Sequence, residues 1–387
     1  MPPTTHQDPP PSTGPISRPA PSDALEDAAD AARLAPSVHN TQPWRLVLHG
    51  DRLELHADRT RQLLTLDPVG RALAQSVGAA LFNARVSLAA SGWATAVERL
   101  PDPADPDLLA VVRLVEGPPD PELAALAPAV PRRRTNRRAF TAEEVPEELL
   151  RDLAGAVAAE GARLLPLSNE AHRALVARLT QQADAVQNAD PAYRAELRRW
   201  TTRSAESGDG VPASVVPHVD GRQHDDVPIR DFDTAGAGAL PPETHSTSGQ
   251  TIVLLATPRD DQAAWLRAGE ALERLELELT GEGWAASPLT QAVEVPLTRT
   301  QLRSALTWDS HPQMLLRIGR AAASPSPPHR LRDDVVENSS RPPEPAAPPL
   351  PSRLGWPAPP APAPVQAPEE TPARRPVSDG RGGTTWV

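Results

Sequence analysis

Two short stretches hold most of the chemistry available to this chain. The first is Ala35-Pro-Ser-Val-His-Asn-Thr-Gln-Pro-Trp-Arg45, where Ser37, Asn40 and Gln42 supply side-chain donors and acceptors beside free backbone groups. Such a set can read the edge of a flat heterocycle or a polyol chain. The same residues also suit a polar helix-to-strand turn with Trp44 in the core. The second stretch is Arg132-Arg-Arg-Thr-Asn-Arg-Arg-Ala-Phe140, five arginines in nine residues. Guanidinium forks match phosphate bidentately, and Thr135 adds a hydroxyl donor; the alternative is a solvated basic linker between two halves. A smaller basic group, His329-Arg-Leu-Arg332, follows the last apolar strand pattern. His218, His224, Asp225 and Asp226 lie in a polar stretch without the usual ligand spacing, so no metal is expected. Gly281-Glu-Gly283 follows a helical pattern rather than a strand, and reads as a C-cap instead of a dinucleotide fingerprint.

Composition removes several classes of function. The 387 residues include no cysteine, which excludes disulfides, thiolate metal sites and cysteine nucleophiles. All 39 of the lysine-plus-arginine residues are arginine, so Schiff-base and lysine-nucleophile chemistry are excluded too. A net charge of −11 argues against wrapping nucleic acid. No apolar run approaches the ~20 residues of a membrane-spanning helix, and the first residues lack a signal-peptide pattern. A soluble cytoplasmic protein is expected.

The elements that must position those residues can be read from periodicity and punctuation. Proline is abundant, 48 residues in all, and crowds into two segments, with eight in the first 22 positions and 14 between Arg341 and Pro376. Proline fixes φ and removes a backbone donor, so 1–22 and 337–387 are expected to be disordered tails around a body at 23–336. In the body, a helix from Asp23 stops at Pro36, and Leu46 and Leu48 answer Leu53 and Leu55 in a β-hairpin. Gly70 to Gly92 is a helix with a buried stripe at Leu73, Val77, Leu81, Ala84 and Leu88. Strands follow at 96–100 and 108–115. Beyond the arginine cluster come a helix at 146–161, a strand at 163–167 and helices at 169–186 and 193–202. A strand at 251–257, a helix at 263–280 and a strand at 313–319 complete the pattern. Residues 205–249 lack periodicity and read as a lid or insertion. Long helices with a few non-adjacent strands, twice over, suggest a layered α+β fold in two copies.

The motifs also resemble a known family. Pro36-Ser-Val-His-Asn-Thr-Gln-Pro-Trp44 resembles the Pro-Ser-x-x-Asn-x-Gln-Pro-Trp signature of the FMN-dependent nitroreductase superfamily. Arg133-Arg-Thr-Asn-Arg137 resembles its Arg-x-Ser-x-Arg/Lys motif. Asp67-Pro-x-Gly-Arg71, Leu100-Pro-Asp-Pro103 and Arg230-Asp-Phe232 extend the likeness to the duplicated Acg-type branch. So do Trp265-Leu-Arg-Ala-Gly269 with Ala271-Leu-Glu-Arg274, and Pro312-Gln-x-Leu-Leu-Arg-Ile-Gly319. The tails show no such likeness.

The resemblance implies a nitroreductase-like layered sheet-and-helix fold, present twice in one chain as a pseudo-dimer. In the superfamily one FMN sits at a homodimer interface. The arginine motif and a C-terminal arginine come from one subunit, and the Pro-Ser-x-x-Asn loop from the other. Here the first half, 23–130, has the loop. The second half, 131–336, has the arginine motif but reads Leu165-Pro-Leu-Ser-Asn-Glu-Ala-His172 where its own loop belongs. One complete FMN site per chain is therefore implied.

By the same resemblance, Arg133, Thr135 and Arg137 would hold the phosphate and ribityl chain. Arg330 would close the phosphate, although it stands in Pro-His-Arg-Leu rather than the related Pro-Arg-Arg-Pro. Ser37 and Asn40 would face the isoalloxazine and ribityl with Gln42 nearby, and a backbone N–H in Ser287-Pro-Leu-Thr-Gln291 would lie near flavin N5. No side chain need act as acid or base, because the flavin carries the hydride. The implied reaction passes hydride from NADH or NADPH to FMN and on to a quinone, nitroaromatic or similar small-molecule acceptor. The alternative is a protein that stores FMN under a lid formed by 205–249. A third reading gives the proline-rich C-terminal tail the biological role, docking to a partner's aromatic groove. Further assembly of pseudo-dimers is compatible with all three.

Overall fold

The computed structural model describes residues 18–137, 139–212, 227, 230, 232, 250–339, 376–378 and 384–386. The chain begins with helix α1 (Pro21–Ala32), whose N1 proline suits a position where no intrahelical donor is needed. Strands β1 (Trp44–Leu48) and β2 (Arg52–Ala57) form the expected hairpin, with Leu46 opposite Leu55 and Leu48 opposite Leu53. Helix α2 (Arg71–Ala90) follows, buried on most of its faces. Strands β3 (Ala94–Arg99) and β4 (Leu108–Val115) complete the first set, and a short helix α3 (Pro121–Leu126) precedes the arginine cluster.

The second set contains α4 (Glu147–Ala159), β5 (Arg163–Pro166), α5 (Glu170–Ala189), α6 (Pro191–Thr201) and β6 (Thr251–Thr257). It continues with α7 (Gln262–Gly281), β7 (Ala285–Pro288), α8 (Gln291–Glu294), α9 (Pro296–Leu306) and β8 (His311–Gly319). The α+β class is as expected. One sheet has the order β3-β4-β2-β1 and the other β7-β8-β6-β5, with each of these neighbouring pairs antiparallel. Corresponding strands therefore occupy corresponding places. The long helices match as well: α2 and α7 are both 20 residues, and each is followed by Gly-Trp-Ala, at 92–94 and 283–285, with the glycine at positive φ.

α2 and α7 pack against each other between the two sheets. Leu266 of α7 belongs to the first apolar core, built from α1, β1, β2, α2 and β4. The second core joins α4, β5, β6, α7, β7 and β8. After β8 the chain returns across the first half and adds β9 (Val336–Asn338) parallel to β1, with Val336 opposite Leu46.

Several boundaries differ from the sequence reading. α1 begins at Pro21, two residues inside the expected tail, because proline is tolerated in a first turn. The body runs past 336, since β9 finds the free edge of β1 and Ser339 still bonds Leu48. α3, β7 and α9 were not anticipated; each begins or ends at a proline, which reads as a break. Residues 376–378 and 384–386 form a separate antiparallel pair, β10 and β11, within the segment expected to be a structureless tail. The rest of both tails, Arg138 and most of 205–249 lie outside the described residues, as do His218, His224, Asp225 and Asp226.

Candidate functional site

The loop between α1 and β1 is held in an uncommon backbone shape. His39, Asn40 and Gln42 have φ of 46°, 54° and 49°, a region uncommon outside glycine, in which asparagine, aspartate and histidine are the other residues enriched. Such strain persists only where surroundings enforce it. Ser37 Oγ accepts from Gln42 N at 2.9 Å, and Val38 N donates to Ser76 Oγ of α2 at 3.2 Å. Asn40 Nδ2 donates to the carbonyls of Gly210 and Pro328 at 3.0 and 2.9 Å. Gln42, fully buried, donates to Gly208 O at 2.8 Å and accepts from Arg330 N at 2.9 Å.

This loop forms one wall of a cleft that opens between it and the second set of elements. Pro36, Ser37, Val38 and His39 face Thr135, Arg137, Glu276 and the turn Ser287 to Gln291, and the space amounts to roughly 1000 Å³, part of it open to solvent. Ser37, Thr135 and Arg137 are shared with an adjoining mouth that Asn40, Arg133 and His329 also line. The lining fits a small-molecule site, with apolar Leu272, Leu289, Val293 and Met314 beside a few convergent polar groups.

The arginines of the cluster do different things. Arg132 is exposed, and Arg134 bonds the Arg133 carbonyl. Arg133 is buried against two carboxylates on α7, Glu276 at 3.0 Å and Glu273 at 3.4 Å. Arg137 is the exception: it lines both parts of the cleft, lies 5.5 Å from the Phe232 ring centroid, and makes no hydrogen bond or ion pair among the described residues. Burial, reinforced by Arg230, pulls its pKa down to about 10. A half-buried guanidinium that is in no ion pair among the described residues is a group an anionic ligand can compensate. Thr135 is fixed beside it by a bridge to Ala286, and Asn136 N donates to Ala286 O at 2.9 Å.

The inner wall is built around Arg230. Its guanidinium donates to Tyr193 Oη at 2.7 Å, Thr290 Oγ1 at 3.0 Å and both Glu294 oxygens at 2.7 and 2.6 Å, and meets His39 Nε2 at 3.2 Å. Burial alone would raise the Glu294 carboxyl, yet Arg230 and Thr290 hold it below its usual value. Burial, then Arg230, lowers His39 to about 3, so the imidazole is neutral. Burial pushes the Tyr193 phenol up to about 12. Below them, Arg71 at the start of α2 donates to Val293 O at 2.7 Å and Gln313 O at 3.0 Å, and Gln75 donates to Gln313 Oε1 at 3.1 Å.

The cleft thus brings together Ser37, Asn40, Arg133, Thr135 and Arg137 from distant parts of the sequence. It does not include Gln42 or Arg330. Gln42 acts as a brace between the loop, Gly208 and Arg330. The Arg330 guanidinium donates to Gln42 O at 3.1 Å and Asp334 O at 2.7 Å, so it ties down the returning C-terminal segment and does not line the cleft. Its neighbour His329 lines the mouth instead, with burial and then Arg133 lowering it to about 4. Sequence reasoning assigned no role to Tyr193, Glu276 or Glu294. Glu276 was legible only as a charge inside the expected helix at 263–280, and Glu294 lay in no expected element. Among the described residues no three histidine, aspartate or glutamate side chains stand together as a metal site, and no helix is long and apolar enough to cross a membrane.

Comparison with known proteins supplies relatives over most of the body. The "Putative NAD(P)H nitroreductase Rv3131" of Mycobacterium tuberculosis is 39% identical over 311 residues, covering 78% of this chain and 88% of that protein. The "Putative NAD(P)H nitroreductase acg" of the same organism is 31% identical over 309 residues, covering 79% and 92%. Among solved structures, the FMN-dependent nitroreductase NfnB from Mycobacterium smegmatis in complex with NADPH is 18% identical with a TM-score of 0.31, covering 54% of this chain and 97% of that one. A nitroreductase with bound FMN from Desulfitobacterium hafniense gives 14% and 0.35, covering 54% and 95%. No family model matches the chain.

Proposed function

The chain belongs to the nitroreductase superfamily, in the Acg-type branch, and on that premise we propose that it is a cytoplasmic NAD(P)H-dependent flavoprotein that uses one FMN held between two nitroreductase-like halves, 23–130 and 131–336. The observation that carries the reading is Arg137, a half-buried cation with no hydrogen bond or ion pair among the described residues, lining a cleft between the signature loop and the arginine motif. When bound, FMN carries hydride from NAD(P)H to a quinone, nitroaromatic or similar acceptor. The residues divide the work of holding it. Arg137, with Thr135, faces the phosphate and ribityl chain. Arg133 gives the site less charge than its sequence suggests, because Glu273 and Glu276 neutralise it. Ser37 keeps its hydroxyl proton for the ligand, since its oxygen is already accepting from Gln42 N. Asn40 shapes the mouth by pinning Gly210 and Pro328, and a backbone N–H of the Ser287 to Gln291 turn would be a donor to the flavin.

The test is the absorption spectrum of the purified protein, followed by anaerobic NADH or NADPH. A yellow protein that bleaches promptly supports the proposal. A colourless protein that takes up no added FMN overturns it. A second reading, storage of FMN without turnover, is favoured by one observation: Arg230 and Phe232, from the segment 205–249, line the cleft. Bound FMN that resists bleaching by either nicotinamide would favour storage.

A further inference from the structure

We propose that His39 is a neutral hydrogen-bond donor to the ligand in this cleft, giving its Nδ1–H to a carbonyl-type oxygen, and that Arg230 is the positioning residue that fixes this tautomer. The proposal rests on the flavin reading above for the identity of the ligand, while the tautomer itself follows from the chain alone.

A guanidinium has donors and no acceptor, so its 3.2 Å contact with His39 Nε2 is a hydrogen bond only if Nε2 carries a lone pair. The single proton of the neutral ring is then on Nδ1. Arg230 cannot turn away to relax this demand. Tyr193 Oη of α6, Thr290 Oγ1 at the N-cap of α8 and the Glu294 carboxylate of α8 hold it, and Gln187 Nε2 in turn donates to Glu294 Oε2 at 2.7 Å. The remaining atom is the informative one. Nδ1 is buried and has no partner among the described residues, in a residue only 8% exposed that lines the cleft. An unmatched buried N–H is costly in a folded chain, and a ligand acceptor removes that cost. The neighbouring charges, Arg230 and Arg137 against Glu294, together with burial, keep the ring neutral. Anionic groups are served by Arg137; a neutral donor suits an uncharged oxygen. Two sources supply one: the pyrimidine edge of the flavin, or the carbonyl of a quinone acceptor.

Histidine-selective long-range ¹H–¹⁵N correlation on the flavin-free chain reads the tautomer directly. The expected result is an unprotonated Nε2 and protonated Nδ1 for His39 between pH 5 and 8, with mixed tautomers in R230Q. Two further variants separate the ligands. H39A removes the donor, whereas H39N keeps a donor near Nδ1 and tolerates the positive φ. Losing one neutral hydrogen bond should weaken the affected ligand about 3- to 10-fold in H39A, and H39N should stay within about 2-fold of wild type. A rise in the FMN Kd identifies the flavin edge. A rise in the menadione KM at unchanged FMN Kd identifies the acceptor. An Nε2–H tautomer in the wild type, or an H39A chain with neither constant changed, overturns the proposal. Wild-type protein that takes up no FMN would instead overturn the function proposed above, since the tautomer is read without flavin.

Discussion

Gly78 of α2 and Gly269 of α7 meet where the two helices cross, each leaving room for a backbone carbonyl of the other. A Cβ on Gly78 would lie 2.0 Å from Leu266 O, and one on Gly269 would lie 1.9 Å from Gln75 O. The contact is reciprocal, and it sets the distance between the two sheets whose strands share one order. Gln75 and Ser76, one turn away, line the cleft, so the crossing also fixes its floor.

Gly78→Ala and Gly269→Ala should therefore each be strongly destabilising. The obstacle is main chain on a packed helix, so neither rotamer change nor solvent exposure can relieve it. A loss of about 3 kcal/mol, the upper end for overpacking, is expected from urea unfolding of either variant. A change within about 0.5 kcal/mol would mean the helices can separate freely.

Arg137 and Arg330 should behave oppositely although both were expected at the phosphate. Arg137→Ala removes a cleft cation that makes no hydrogen bond or ion pair among the described residues. It should weaken FMN about 10- to 100-fold, as loss of charge-assisted hydrogen bonds does, while riboflavin, which has no phosphate, changes little. Arg330→Ala should leave FMN affinity within about 3-fold and lower thermal stability, because its guanidinium serves Gln42 O and Asp334 O. Titration of the apo-proteins with both flavins checks the pair. Equal losses for FMN and riboflavin in Arg137→Ala would remove the phosphate from that residue.

Much of this arrangement was legible before any coordinates. Leu46, Leu48, Leu53 and Leu55 alternate cleanly, so the hairpin register followed from period two. The long stripe of α2 fixed that helix to within two residues. Gly281-Glu-Gly283, read as a C-cap, marks the end of α7. What could not be read was direction. Arg133 and Arg137 are four residues apart in one basic run, yet one is neutralised by Glu273 and Glu276 from more than a hundred residues away and the other is not. Spacing carries no information about such partners. Arg330 failed for a similar reason: two backbone carbonyls, which no sequence motif displays, compete for its guanidinium.

Acid should destabilise the chain through its buried histidines. His39 at about 3 and His329 at about 4 lie below the unfolded value of about 6.5. The unfolded chain then takes up protons first as pH falls from about 6.5, so stability is full above that value and drops down to the folded pKa. Each histidine contributes a slope of up to about 1.4 kcal/mol per pH unit in its window. Glu273 and Glu276, raised by burial, act in the opposite sense above the ordinary carboxylate range, so the informative quantity is a difference. Between pH 6.5 and 4, stability of His39→Asn should fall less steeply than that of wild type, measured by urea unfolding at several pH values. Parallel profiles would show that His39 is not buried neutral.

Glu270 offers a control for stability without ligand binding. It is fully buried on α7 and accepts from Arg99 at 2.7 and 2.8 Å and from Arg85 at 2.8 Å, while Arg85 also reaches Glu160 at 2.6 Å and Arg274 reaches Glu160 at 3.1 Å. None of these residues lines the cleft. Glu270→Gln keeps the shape and removes the charge, leaving Arg99 without a carboxylate. Removing one partner of a buried pair costs about 3–5 kcal/mol, because the other charge stays desolvated. The urea midpoint should fall accordingly, while FMN stoichiometry, affinity and spectrum at low temperature match wild type. An unchanged midpoint would show that Arg99 escapes to solvent. A changed flavin spectrum would show that this charge cluster and the cleft are coupled through α7.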